Sequence, residues 1–105
     1  GMERMSSAAQ RVYKDGWLKK WDHHSFGGGR WKWRWAVLTA SHLHLQKDAS
    51  VIVTSALSVR GARLENVASP DLEFVKALTL PGGKELKLAF ENAEDARKWG
   101  EALEV

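Results

Sequence analysis

Between Arg30 and Leu38 the chain reads Arg-Trp-Lys-Trp-Arg-Trp-Ala-Val-Leu, with basic and aromatic residues alternating at a period of two before the run turns apolar. Only an extended strand sorts such a run into two chemically distinct faces. Wound as a helix, it would scatter cations and indoles around the whole cylinder. As a strand, Trp31, Trp33 and Trp35 share one face, while Arg30, Lys32 and Arg34 share the other with Ala36 and Leu38. Any fold for this chain must therefore accommodate a strand whose one side passes from cationic to apolar and whose other side is a tryptophan stripe.

The flanking segments supply partners for that strand. Tyr13 to Trp21 mixes aromatics and charges as a curved strand does, with Gly16 permitting a bend. Asp22 to Gly29 ends in three consecutive glycines and reads as a flexible hairpin loop joining the two. Ala40-Ser41 makes a tight turn into a strand over Leu43 to Lys47. Short strands follow over Val51 to Thr54, Leu57 to Val59 and Arg63 to Val67. After a turn at Ser69-Pro70-Asp71, a strand is expected over Leu72 to Leu80, then a turn at Pro81-Gly82-Gly83-Lys84 and a strand over Leu86 to Phe90. The character changes at Asn92, a fitting N-cap for a helix of about 92–104 with Glu94 and Asp95 in its first turn. Ala96, Trp99 and Leu103 form its apolar stripe, and Trp99 is expected in the core. A strongly bent sheet has open ends, and a terminal amphipathic helix is one way to close one of them.

Length and composition bound the function. At 105 residues, 44% hydrophobic and 28% charged, the chain has the makings of one globular domain, expected over residues 12–105 behind a flexible leader of 1–11 whose Gly1 before Met2 resembles a tag scar. There is no apolar run near the roughly 18 residues that span a bilayer. Cysteine is absent, which excludes disulfides and thiolate chemistry and suits a reducing compartment. Residues 1–50 hold nine Lys/Arg against four Asp/Glu, and residues 51–105 hold seven against nine. The basic half also carries five of the six tryptophans. This asymmetry points to an anionic partner for the first half: a membrane surface, a phosphorylated ligand or a nucleic acid.

Catalytic and metal chemistry find no support. No paired carboxylates, nucleophile elbow or Ser/His/Asp spacing stands out, so the chain is expected not to be an enzyme. Gly27-Gly28-Gly29 is followed by a strand and lacks the Gly-Lys-Ser/Thr of a phosphate-cradling loop. His42 and His44 share a strand face but have no third ligand nearby in sequence, and no metal or cofactor is expected. The tryptophan stripe could stack nucleic-acid bases beside a basic groove, but packing on the barrel or against neighbouring loops is the favoured reading.

Three segments together resemble the pleckstrin homology family over Tyr13 to Leu103. Gly16-Trp17-Leu18-Lys19-Lys20 is similar to the family's Gly-Trp-Leu-x-Lys opening strand, and Trp31 to Leu38 to its Trp-Lys-x-Arg-Trp-x-Val-Leu second strand. Trp99 matches the tryptophan of its terminal helix. The resemblance implies a mostly β fold, a seven-stranded bent barrel or sandwich of two antiparallel sheets capped by one C-terminal α-helix. It further implies that Lys20, Lys32 and Arg34 converge at the barrel mouth as ligands for a phosphoinositide headgroup. Lys19, His23, His24, Arg30, Arg60 and Arg63 are supporting candidates, and Phe26 in the glycine-rich loop is a candidate for membrane insertion. Strong lipid binders of the family carry a tyrosine where Leu45 stands, and a basic residue on the fourth strand has no evident counterpart here. Asp22 would oppose an anion if it pointed inward.

The expected function is accordingly a non-enzymatic module, cytoplasmic and peripheral at the cytosolic face of membranes, that docks its parent protein on phosphoinositides or anionic membrane. A protein-binding adaptor role is the alternative. Single-stranded nucleic-acid binding is disfavoured by the acidic second half.

Overall fold

A computed structural model describes residues 12–23, 26–50 and 56–104. Seven strands precede one helix: β1 (Lys14–His23), β2 (Gly29–Leu38), β3 (His42–Gln46), β4 (Ala56–Ser58), β5 (Arg63–Asn66), β6 (Val75–Thr79), β7 (Glu85–Ala89) and α1 (Ala93–Leu103). All pairings are antiparallel, in the order β4-β3-β2-β1-β7-β6-β5, and β4 and β5 lie at the two ends of an unclosed sheet. The leader over 1–11 and the strand expected over Val51 to Thr54 lie outside the described residues.

The sheet is strong in one place and thin in another. β1 and β2 are in register over ten pairs, from Lys14 opposite Leu38 to His23 opposite Gly29. β1 meets β7 only at Lys19 with Ala89 and Lys20 with Leu88. Beyond Lys20 the two strands part, so the sheet behaves as two antiparallel halves, β4-β3-β2-β1 and β7-β6-β5, joined by a short seam. Gly29 is pinned where the first hairpin re-enters the sheet. A Cβ there would lie 2.5 Å from the Asp22 carbonyl oxygen and 2.8 Å from the Trp21 ring, so only glycine fits without displacing them.

One expected strand is shorter than the sequence suggests. Leu72 to Phe74 read as the start of a strand, but β6 begins at Val75. Val67 N–H already donates to the Val75 carbonyl at 3.1 Å and Phe90 N–H to the Phe74 carbonyl at 2.8 Å, so Leu72 and Glu73 belong to the loop that carries the chain from β5 back to β6. The strand ends before Leu80, whose N–H bonds the Lys84 carbonyl at 2.7 Å as the Pro81–Lys84 turn begins.

Alternation along the first hairpin builds the core. Leu18, Ala36 and Leu38 are buried and pack with Leu43, Leu45, Leu78, Leu86 and Leu88 from the other strands. The helix closes one end. Asn92 caps it, its side-chain oxygen accepting from the Asp95 N–H at 2.8 Å. Ala96, Trp99 and Leu103 face inward, as the apolar stripe predicts. Trp99 is fully buried, stacks on Phe90 at 6.5 Å and lies beneath the Lys14 ammonium, 5.1 Å from its ring centre. At Gly100 a Cβ would meet Leu64 of β5 and Lys76 of β6, while Trp99 lies against Lys14 and Gly16 of β1, so the helix touches both halves of the sheet and ties them together.

Truncating Trp99 to alanine removes the largest buried side chain and the link between the halves. Urea denaturation followed by circular dichroism should show a loss of about 3–5 kcal/mol, a large share of the 5–15 kcal/mol that holds a typical domain folded.

Candidate anion-binding site

The inward face of β1 runs Lys14, Gly16, Leu18, Lys20, Asp22. Lys14 and Gly16 lie against Trp99, Leu18 is in the core, and Lys20 and Asp22 emerge on the far side. Four residues of extended chain, roughly 13 Å, separate the helix-plugged end from the cationic end. β2 runs antiparallel, so its inward face passes from core at Leu38 and Ala36 to Arg34 and Lys32, and Lys20 stands directly opposite Lys32.

These side chains share a cavity of about 230 Å³, lined by Lys20, Asp22, Lys32, Arg34, Lys84, Leu45, Leu57 and Leu86. Sequence reasoning placed Lys20, Lys32 and Arg34 together and did not find Lys84. Its signal was nonetheless present, because Lys84 precedes the inward Leu86 and Leu88 by two and four residues and therefore falls on the same face. The turn carries it to the mouth, with Gly82 and Gly83 at φ of 98° and 100°, conformations that side chains beyond glycine rarely adopt. Leu45 and Leu57 make part of the wall apolar, and no hydroxyl stands where Leu45 does.

The cations differ in how they are held. Arg34 donates to the Trp33 carbonyl at 2.8 Å and Lys20 to the Trp21 carbonyl at 3.3 Å, contacts that orient the side chains without neutralising them. Among the described residues, only Lys32 of the four has a carboxylate within ion-pair distance: its ammonium sits 2.8 Å from Asp22 Oδ2. Asp22 and Lys32 are diagonal neighbours across the hairpin. The Lys32 hydrogen bond and then its charge hold the Asp22 carboxyl below its usual range against an opposing effect of desolvation, with lesser help from the charges of Lys20 and Arg34.

The remaining candidates lie elsewhere. Lys19 is on the opposite face, its ammonium 4.9 Å from the centre of the Trp33 ring. His23 follows Trp21 on that outer face, with their rings 6.2 Å apart. Arg30, Arg60 and Arg63 are exposed and do not line the cavity. Arg63 of β5 pairs with Thr79 of β6, and its β5 neighbour Leu64 is the residue packed on the core. Phe26 is fully exposed in the β1–β2 loop. His24 lies outside the described residues.

The tryptophan stripe packs on the outside of the sheet. Trp17 meets Trp35 and Trp21 meets Trp31 edge-to-face at 5.4 and 5.3 Å, each pair directly opposite across the β1–β2 ladder. Trp17 and Trp33 remain 40% and 49% exposed. His42 and His44 sit on β3 with ring centres 6.3 Å apart, and no group of three metal-ligating side chains occurs among the described residues. Burial, and secondarily the neighbouring His42, pushes the His44 imidazole below its usual pKa.

A carboxyl held in its charged form by cations contributes stability above its unfolded-state pKa, and loses it as the pH falls through the lower folded-state value. Carbon-detected NMR titration should therefore place the Asp22 midpoint below 3.8, the ordinary value. Lys32→Met should move that midpoint upward.

No curated protein matches the sequence. The model of the PH domain family matches residues 12–105. Among solved structures, the C-terminal PH domain of pleckstrin in complex with D-myo-Ins(1,2,3,5,6)P5 superposes with a TM-score of 0.78 at 21% identity, covering 90% of this chain and 93% of that one. The PH domain of human pleckstrin homology domain-containing protein family A member 5 gives 0.75 at 20%, covering 98% and 80%. A chain in the crystal structure of SifA and SKIP gives 0.73 at 21%, covering 86% and 92%. At these identities the superpositions speak for the fold, and with the family match they make this chain a member of the PH domain family.

Proposed function

We propose that this chain is a non-enzymatic docking module that recruits its parent protein to the cytosolic face of membranes by binding phosphoinositide headgroups. The observation that carries this reading is the convergence of Lys20, Lys32, Arg34 and Lys84, from two strands and a distant turn, on one small mouth. Basic residues spread over a surface gain about 1 kcal/mol each from an anionic leaflet, and three such contacts amount to affinity only in the millimolar range. Focused on a single phosphomonoester, which carries about −1.5 to −2 charges and three acceptor oxygens, the same groups make charge-assisted hydrogen bonds, with the planar Arg34 fork as the most directional. A cavity of about 230 Å³ is smaller than the roughly 300–1,000 Å³ that holds drug-sized ligands, a scale suited to a headgroup. The pleckstrin relative crystallised with an inositol pentakisphosphate supports the same ligand class. With Leu45 on the wall, affinity rests on the cations. Phe26, exposed in the loop that joins the two site-bearing strands, adds apolar insertion into the interface.

A protein-adaptor role is favoured by one separate feature. Trp17 and Trp33 are exposed on the outer face, and Trp33 lines a mostly apolar groove of about 190 Å³ with Lys19, Leu72, Ala89 and Phe90. Nucleic-acid binding loses ground because the tryptophans and the cationic mouth lie on opposite faces of the hairpin, so bases stacked on the former would not meet the latter.

Liposome sedimentation separates these readings. Binding should rise with phosphoinositide content, and Arg34→Ala or Lys84→Ala should each reduce it at least about tenfold, the loss of one charged hydrogen bond, with unchanged circular dichroism. Undiminished binding by Arg34→Ala would exclude the mouth as the headgroup site. Absence of lipid binding, with a partner captured through Trp33 and lost in Trp33→Ala, would favour the adaptor.

A further inference from the structure

The mouth contains a carboxylate that a general-purpose anion site would not keep. Asp22 lies on the inward face two residues beyond Lys20, lines the same cavity and holds the Lys32 ammonium at 2.8 Å. Its position is fixed by the hairpin, because Asp22 is in register with Arg30 and its carbonyl lies against Gly29. It also feels the positive charges of Lys20 and Arg34 and stays ionised below the usual carboxylate range. A ligand entering this mouth therefore meets a fixed negative charge as well as four positive ones.

An ionised carboxylate accepts hydrogen bonds and donates none. Beside a phosphorylated ring it is complementary to a free hydroxyl and repels a second or third phosphate brought to the same place. We infer that Asp22 is a specificity-determining residue of the mouth, which ties up Lys32 and restricts the site to sparsely phosphorylated polyol headgroups by accepting a hydrogen bond from a free hydroxyl. This rests on the headgroup reading above and adds the class of headgroup. The site thereby gives up affinity for the most highly charged ligands to gain discrimination, because specificity is a difference between affinities and is often achieved by a repulsive element.

Isothermal titration of the full chain with soluble inositol mono-, bis-, tris- and tetrakisphosphates tests this, using the native protein and Asp22→Asn. The native protein should show little or no gain in affinity beyond two phosphates. Asp22→Asn should bind the tetrakisphosphate about tenfold more tightly or better, from one like-charge repulsion removed at close range, and gain little for the monophosphate. A ranking unchanged by Asp22→Asn, or a uniform gain across the series, overturns the inference while leaving the headgroup site standing. Failure of both proteins to bind any member overturns the headgroup reading and this inference with it. Vesicles carrying mono- or trisphosphorylated phosphoinositide form the second arm. An Asp22-dependent ranking seen in vesicles assigns the ligand to a lipid, one confined to the soluble series assigns it to a free inositol phosphate, and either supports the inference. Circular dichroism of Asp22→Asn confirms that the fold is retained.

Discussion

The ten-pair register between β1 and β2 is the constraint on which the rest depends. Side chains on paired strands alternate strictly between two faces, so this ladder decides in one stroke what is inside and what is outside. Inside are Leu18, Ala36 and Leu38, which the helix and the other strands cover, and also Lys20, Lys32 and Arg34. Outside are Trp17, Trp21, Trp31, Trp33 and Trp35, which pair across the strands. A row that is apolar at one end and cationic at the other has its core plugged where it is apolar and open where it is charged. The cations cannot be buried without partners, so the open mouth at that end follows from the same alternation that makes the core.

The helix and the mouth are thus complementary ends of one interior. Trp99 seals the end where Lys14 and Gly16 lie, and draws together two halves of a sheet that share only two register pairs. At the other end the parting of β1 from β7 beyond Lys20 leaves room for Lys84 to approach from the opposite half. The cationic cluster is therefore composite: three of its members belong to one hairpin, and the fourth belongs to the turn between β6 and β7.

This division also explains what could be read from the sequence. The first hairpin and the helix with its Asn92 cap and Trp99 depend on local periodicity, which a single chain displays openly, whereas the grouping of Lys20 with Lys32 and Arg34 comes from the family resemblance. Alternation with Leu86 and Leu88 gives the face of Lys84, but its arrival at the mouth depends on a pairing between distant segments. Arg60 and Arg63 are candidates as substitutes for the family's fourth-strand basic residue, yet alternation around the inward Leu64 places Arg63 outside. Lys19 sits next to Lys20 in sequence but across the sheet from it, an outcome of the same parity. The late start of β6 was hidden because Leu72 and Phe74 are as apolar as strand residues while their backbone serves a loop.

The alternating strand also shapes how such a chain can change over evolutionary time. Substitutions in β2 alter one face at a time, but a single-residue insertion or deletion between Lys32 and Ala36 would exchange the faces of everything on one side of it, sending cations outward and indoles into the core. Length can vary only where the parity of the paired strands is left alone, in the connections between them. Diversity of ligand preference on this scaffold is thus expected to come from side-chain replacement on β1 and β2 and from loop length, while the spacing within the hairpin stays fixed.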